Sequence, residues 1–116
     1  MSFLSDDFQI ISRITPGRVT VAVRGEVDLA TAPELRQQIT DRLASAPANT
    51  LHLDLSGVSF MDSSGLLVLL AAQRRARLLG GDVVLTRTSP PVERLLDLAG
   101  VPFSVELSTG VHARTG

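Results

Sequence analysis

Residues 51–70 read LHLDLSGVSFMDSSGLLVLL, and a change of rhythm inside this stretch decides the fold. Leu51, Leu53 and Leu55 alternate with His52 and Asp54, the period of two expected of a strand with one buried face. Past Met61 the alternation gives way to an almost continuous apolar run, read as the first half of a helix from about Ser63 to Leu79 that stops at Gly80-Gly81. A strand that feeds straight into a well-buried helix is the repeating unit of an α/β sheet. The joint between them, Met61-Asp62-Ser63-Ser64-Gly65, holds residue types that cap helix N-termini, where each is worth about 0.5–2 kcal/mol. Taken alone, the joint admits three readings: a cap, a nucleophile, or a site of modification.

Reading upstream, residues 8–14 and 18–24 are strand-like and are joined by Pro16-Gly17, so they are expected to form an antiparallel hairpin. TAPELRQQITDRLAS, residues 31–45, is a helix in which Leu35, Ile39 and Leu43 form one stripe and Pro47 lies past the end. Thr31 and Glu34 have the spacing of a capping box, and Pro33 sits in the first turn, where its missing N–H has no partner to lose. Downstream, DVVLTR (82–87) is a strand and SPPVERLLDLAG (89–100) a helix. Ser89 is its expected cap, Pro90 and Pro91 its first turn and Gly100 its stop. A last strand falls around Phe103–Glu106. The order β-β-α-β-α-β-α-β predicts a single α/β domain over residues 1–107: a mixed, mostly parallel sheet that opens with an antiparallel hairpin and has helices packed against it. Residues 108–116 are polar and are expected to be a flexible tail.

Composition narrows the function. With 116 residues, 44% of them apolar, the chain can bury one real core. Eleven arginines balance 12 acidic residues, lysine is absent, and so are Trp and Tyr, which leaves neither a basic stripe nor a stacking platform for nucleic acid. There is no cysteine to form a disulfide, a thiolate nucleophile or a zinc site. MSFLSDDFQI has no basic start and no long apolar run, so it does not read as a signal peptide, and no stretch is long enough to span a bilayer. A cytoplasmic domain with no membrane contact is expected.

Catalytic readings of the joint fail on their own chemistry. A hydrolase elbow needs glycine two residues before and two after its serine, because the strained turn excludes side chains there. Met61 occupies the first of those positions for Ser63. The only histidines are His52, in mid-strand, and His112, in the tail, so a general base is also wanting. A phosphate loop requires a lysine, and no cluster has metal-ligand spacing. No enzymatic activity and no cofactor are therefore expected. Capping and modification remain, and they are compatible, since helix amides and the macrodipole favour a phosphate at a helix N-terminus.

At this point the residues resemble a known family. FMDSSGLLVLL is similar to the signature of bacterial anti-sigma factor antagonists, the STAS-domain family. VRGEVDLATAPELRQQI, LHLDLSGVSF and SPPVERLLDLAGV resemble three further family segments in the expected order, so the likeness covers roughly residues 8–106. The resemblance implies a non-catalytic switch in partner exchange. Its unmodified form binds an anti-sigma factor with serine kinase activity and frees a sigma factor. Phosphorylation on Ser63, the serine after Asp62, ends the binding, and a serine phosphatase restores it. On the same grounds Asp28, Asp62, Ser64 and Gly65 are expected at the partner surface. The alternative within the family is a STAS scaffold, or a regulatory subunit of a phosphatase-signalling assembly or membrane transporter. One position departs: Leu67 stands where many members have glycine, and its bulk is expected either to repack the helix start or to alter which kinase fits.

Overall fold

The computed structural model describes residues 8–106. The elements follow the chain as β1 (Gln9–Thr15), β2 (Arg18–Val27), α1 (Ala32–Ser45), β3 (Thr50–Met61), α2 (Ser63–Leu78), β4 (Asp82–Thr88), α3 (Pro90–Ala99) and β5 (Ser104–Val105), with a single 3-10 turn at Pro47–Asn49. The sheet order is β1-β2-β3-β4-β5; β1 runs antiparallel to β2 and all later pairs are parallel. The α/β architecture expected from the sequence is thus the one observed. The expected tail, 108–116, lies outside the described residues.

One sheet face carries the core. Val19, Val21 and Val23 of β2, Leu51, Leu53 and Leu55 of β3, and Val83 and Leu85 of β4 are all buried, while Thr20, His52, Asp54, Val84 and Thr86 between them are partly open to water. Leu35, Ile39 and Leu43 from α1, Leu69, Ala72 and Ala76 from α2, and Val92 from α3 join the same cluster. Fully burying one Leu or Val side chain contributes about 1.5–3 kcal/mol, so this single layer of contacts supplies most of the driving force.

Two strands run longer than alternation indicated. Strict alternation stops at Leu55, yet β3 continues to Met61, and β2 continues past residue 24 to Val27 beside it. The reason is a pair of irregularities in β3. From Ala22↔Asp54 to Arg24↔Gly57, and again from Gly25↔Val58 to Glu26↔Phe60, β3 advances one residue more than β2. Each extra residue shifts the phase, so the buried positions fall at Leu55, Val58 and Met61 and no longer alternate. The bulges also re-aim the end of β3, which sets the direction in which α2 leaves the sheet.

The helix starts correct two expected caps. Thr31 has helical rather than extended dihedrals (φ −98°, ψ −18°) and caps no helix amide. Its hydroxyl instead donates to the Glu26 carbonyl at 2.9 Å and accepts from the Asp28 amide at 3.0 Å, so the capping box with Glu34 does not form. Ser89 has extended dihedrals but also makes no cap bond, and its Oγ is buried without a partner. Pro90 and Pro91 remove the N1 and N2 amides, and the Ser89 hydroxyl takes no bond from the one that remains at N3, Val92.

Asp82 links three elements: its carboxylate accepts from the Ser104 hydroxyl, from Arg77 Nε at 3.0 Å and from the Val83 amide at 2.8 Å. Burial pushes its pKa up, but the Ser104, Arg77 and Val83 bonds outweigh that and hold it below the ordinary carboxylate value. A carboxylate with a depressed folded pKa stabilises the fold above its unfolded pKa and loses that contribution as the pH falls through the folded pKa. Asp82→Asn is therefore expected to be less stable than wild type at pH 7, with the gap closing below about pH 4. Urea denaturation of both proteins at pH 7 and pH 3 measures it; a gap that does not shrink in acid would sink the assignment.

Candidate functional site

The carboxyl ends of β2, β3 and β4 lie along one edge of the sheet, and each leads within a few residues into the N-terminus of a helix. Val27 pairs with Met61, and the Asp62 amide donates to the Val27 carbonyl at 3.2 Å. Asp28 and Asp62, one residue past paired positions on neighbouring parallel strands, are thereby brought side by side, at the roughly 5 Å spacing of such strands.

Each aspartate orders the chain that follows it. Asp28 Oδ1 accepts from the amides of Ala30 at 3.0 Å and Thr31 at 3.1 Å, an Asx turn that carries the chain from β2 into α1. Asp62 is extended (φ −109°, ψ −170°) and is the N-cap of α2. Its Oδ1 accepts from the Ser64 amide at 2.8 Å and the Gly65 amide at 3.4 Å, while its carbonyl takes the Leu66 amide at 3.1 Å. Capping by Asp62 satisfies two of the orphan donors that every helix start leaves. The free amides expected to await a phosphate are thus mostly taken. Asp62→Ala should cost about 1 kcal/mol, read as a lower urea midpoint with unchanged m-value; a loss below the error of the measurement would deny the cap.

With its amides engaged by Asp62, the α2 start holds Ser63 as an exposed residue in the first turn, whereas Ser64 is only partly exposed. Gly65 is buried, and a Cβ on it would stand 2.7 Å from both Met61 Cγ and Val27 Cγ1. The absence of a side chain lets α2 begin directly against the ends of β2 and β3. Leu67 is 64% exposed, so it does not repack the helix start; its bulk faces outward, one turn beyond Ser63. Leu29 and Phe60, also exposed, flank Asp28 and Met61 in the chain; sequence reading passed over both, and their only signal was an apolar residue beside a polar turn.

His52 sits in β3, away from this edge, and its imidazole pKa is pushed down by burial and by Arg18. Among the described residues no group of three His, Cys, Asp or Glu could hold a metal, and no helix is long and apolar enough to cross a membrane. The edge offers an exposed hydroxyl, two ordered carboxylates and scattered apolar side chains.

Comparison with known proteins agrees in sequence and in shape. A family profile described as STAS domain matches residues 9–113. The anti-sigma F factor antagonist of Paenibacillus polymyxa is 34% identical over 85 residues, 73% of this chain and 73% of that protein. The crystal structure of an anti-sigma factor antagonist from Mycobacterium paratuberculosis superposes with a TM-score of 0.77 at 30% identity, covering 90% of each chain. The structure of the Bacillus cell fate determinant SpoIIAA in its phosphorylated form gives a TM-score of 0.63 at 26% identity, with 80% of this chain and 83% of that one covered.

Proposed function

This chain belongs to the STAS domain family, and we propose that it is an anti-sigma factor antagonist whose binding is gated by phosphorylation of Ser63. The unmodified protein binds an anti-sigma factor that is also a serine kinase and so frees a sigma factor. Phosphate on Ser63 ends the complex, and a serine phosphatase returns the protein to its binding form. The protein acts by association and performs no catalysis of its own.

The observation that carries this reading is the state of the α2 N-terminus. Ser63 is exposed, while the Ser64 and Gly65 amides that could neutralise an added phosphate are already bonded to Asp62. A phosphate adds about −1.5 to −2 charge and three acceptor oxygens. It would remain on the surface beside two carboxylates, unable to disappear into its own helix start. The fold is left intact and the surface becomes more negative. Asp28 and Asp62 meet the partner through the carboxylate capacity their turns leave free, Ser64 orders the turn, and Gly65 sets the closeness of α2 to the sheet.

The names of relatives support the regulatory class, and a phosphorylated form of one structural neighbour supports the modification. The test is displacement. Purified protein added to the complex of the anti-sigma factor and sigma factor from its own cells should release free sigma factor, seen by size-exclusion chromatography. A complex that stays whole at a tenfold excess of the unphosphorylated protein would overturn the proposal.

A further inference from the structure

Between them α1 and α2 leave an apolar groove that runs from near the phosphoacceptor edge toward the C-terminal half of α2. Ile39 and Leu43 of α1 and Val68 and Ala72 of α2 line it, and Arg36 and Arg75 stand one on each helix at its sides. Beyond Arg75, the outer face of α2 continues with Ala71, Arg74 and the exposed Leu67 and Leu78, which are 64% and 78% accessible. Isolated exposed leucines are unremarkable on a surface; a groove that runs into a row of them is not.

The charges along it have one sign. Among the described residues, the ion pairs are Arg18–Glu106 and Arg77–Asp82, so Arg36, Arg74 and Arg75 have no acidic partner. α2 contains no Asp or Glu at all. The acidic residues of α1, Glu34 and Asp41, lie about 140–160° around the helix from Arg36 at 100° per residue, so they do not border the groove. Asp41 is also held by Gln37 at 3.0 Å. An apolar floor with cationic sides selects against a basic or neutral ligand and for an apolar one with acidic flanks.

The geometry points to a second docking site, in which this groove receives an amphipathic helix of a partner protein that has Leu- or Ala-type residues on one face and Asp or Glu along both flanks. Two packed helices offer a trough of the width a third helix fills, with anchors read at i, i+3/i+4 and i+7. Arg75 lies 12 residues after Ser63, about 18 Å along α2, which is beyond the ~8 Å Debye length at physiological salt. At that distance the Arg75 end of the groove is screened from a phosphate on Ser63, whereas Val68 and Leu67 lie within about 8 Å of it along the helix. This inference does not depend on the identity of the partner at the phosphoacceptor edge.

The probe is a fluorescein-labelled 15-residue helical peptide with leucine and alanine on one face and glutamate on the flanks, paired with a twin carrying lysine in place of glutamate. Fluorescence anisotropy should show saturable binding of the acidic peptide and at least tenfold weaker binding of its twin. Arg36→Glu combined with Arg75→Glu, with folding checked by circular dichroism, should reverse that preference. Equal binding of the two peptides, no saturation by the acidic one, or an unchanged preference in the double variant would overturn the inference. So would a concentration-dependent dimer in sedimentation that Ala71→Arg abolishes, since that assigns the groove to a second copy of the chain.

Discussion

Ser63→Glu is expected to lose affinity for the anti-sigma factor by at least an order of magnitude, and full phosphorylation by two to three. The difference follows from charge: one carboxylate carries about −1, whereas phosphoserine carries −1.5 to −2 with three acceptor oxygens. Two to three orders correspond to roughly 3–4 kcal/mol, the scale of a charge buried opposite other charges in an interface. Asp62 and Asp28 already stand at that edge, so an added anion raises a repulsion that any partner must desolvate. Ser63→Ala should bind within a few-fold of wild type and escape regulation. Both variants should melt like wild type, because an exposed first-turn side chain contributes within about 0.5 kcal/mol. Calorimetric titration measures the affinities. Equal affinity of Ser63→Glu and Ser63→Ala would mean that charge at this position does not reach the partner.

The largest stability effect is expected at Gly81. A Cβ there would lie 1.9 Å from the Asn49 carbonyl oxygen and 2.6 Å from that of Ala48. Those are backbone atoms, so no side chain can swing aside. The turn they belong to has little freedom to retreat: Ala48 and Asn49 both sit at positive φ, 55° and 52°, and Asn49 Nδ2 donates to the Leu79 carbonyl at 3.0 Å. Gly81→Ala should cost about 3 kcal/mol, at the upper end of overpacking, and lower the melting midpoint by roughly 10–20 °C. Gly80→Ala is the control. Its φ of 89° makes alanine strained, but nothing lies within 4 Å, so only about 1–2 kcal/mol should be lost. If Gly80→Ala proved the more damaging of the two, the close contact between the two turns would be wrong.

The order of elements could be read in advance because each announced itself locally: valines and leucines at a period of two, a stripe every four residues in α1, Pro-Gly and Gly-Gly at the turns. The long ends of β2 and β3 could not, since each bulge shifts the pattern by one residue and erases the period on which the reading rests. Thr31 and Ser89 had the residue type of a cap but not its surroundings. For Ser89 the sequence did hold part of the answer, because Pro90 and Pro91 take away two of the first-turn amides and leave only that of Val92 for a cap to bond. For Thr31 it did not, as the competing bond to Glu26 depends on where β2 ends. Asp28 was legible as an acidic residue before a helix; its neighbour across the strand pair, Asp62, became its neighbour only through the Val27–Met61 register. The outward direction of Leu67 likewise depends on which face of α2 meets the sheet.

The central claim is that Ser63, and not the adjacent Ser64, is the regulated hydroxyl. Site-resolved mass spectrometry of the protein from its own cells, wild type beside Ser63→Ala, tests it directly. The account predicts phosphate on Ser63 under at least one growth condition and an unmodified protein when Ser63 is alanine. Phosphate on Ser64 with Ser63 unmodified, or the same level of phosphate in the alanine variant, would contradict it.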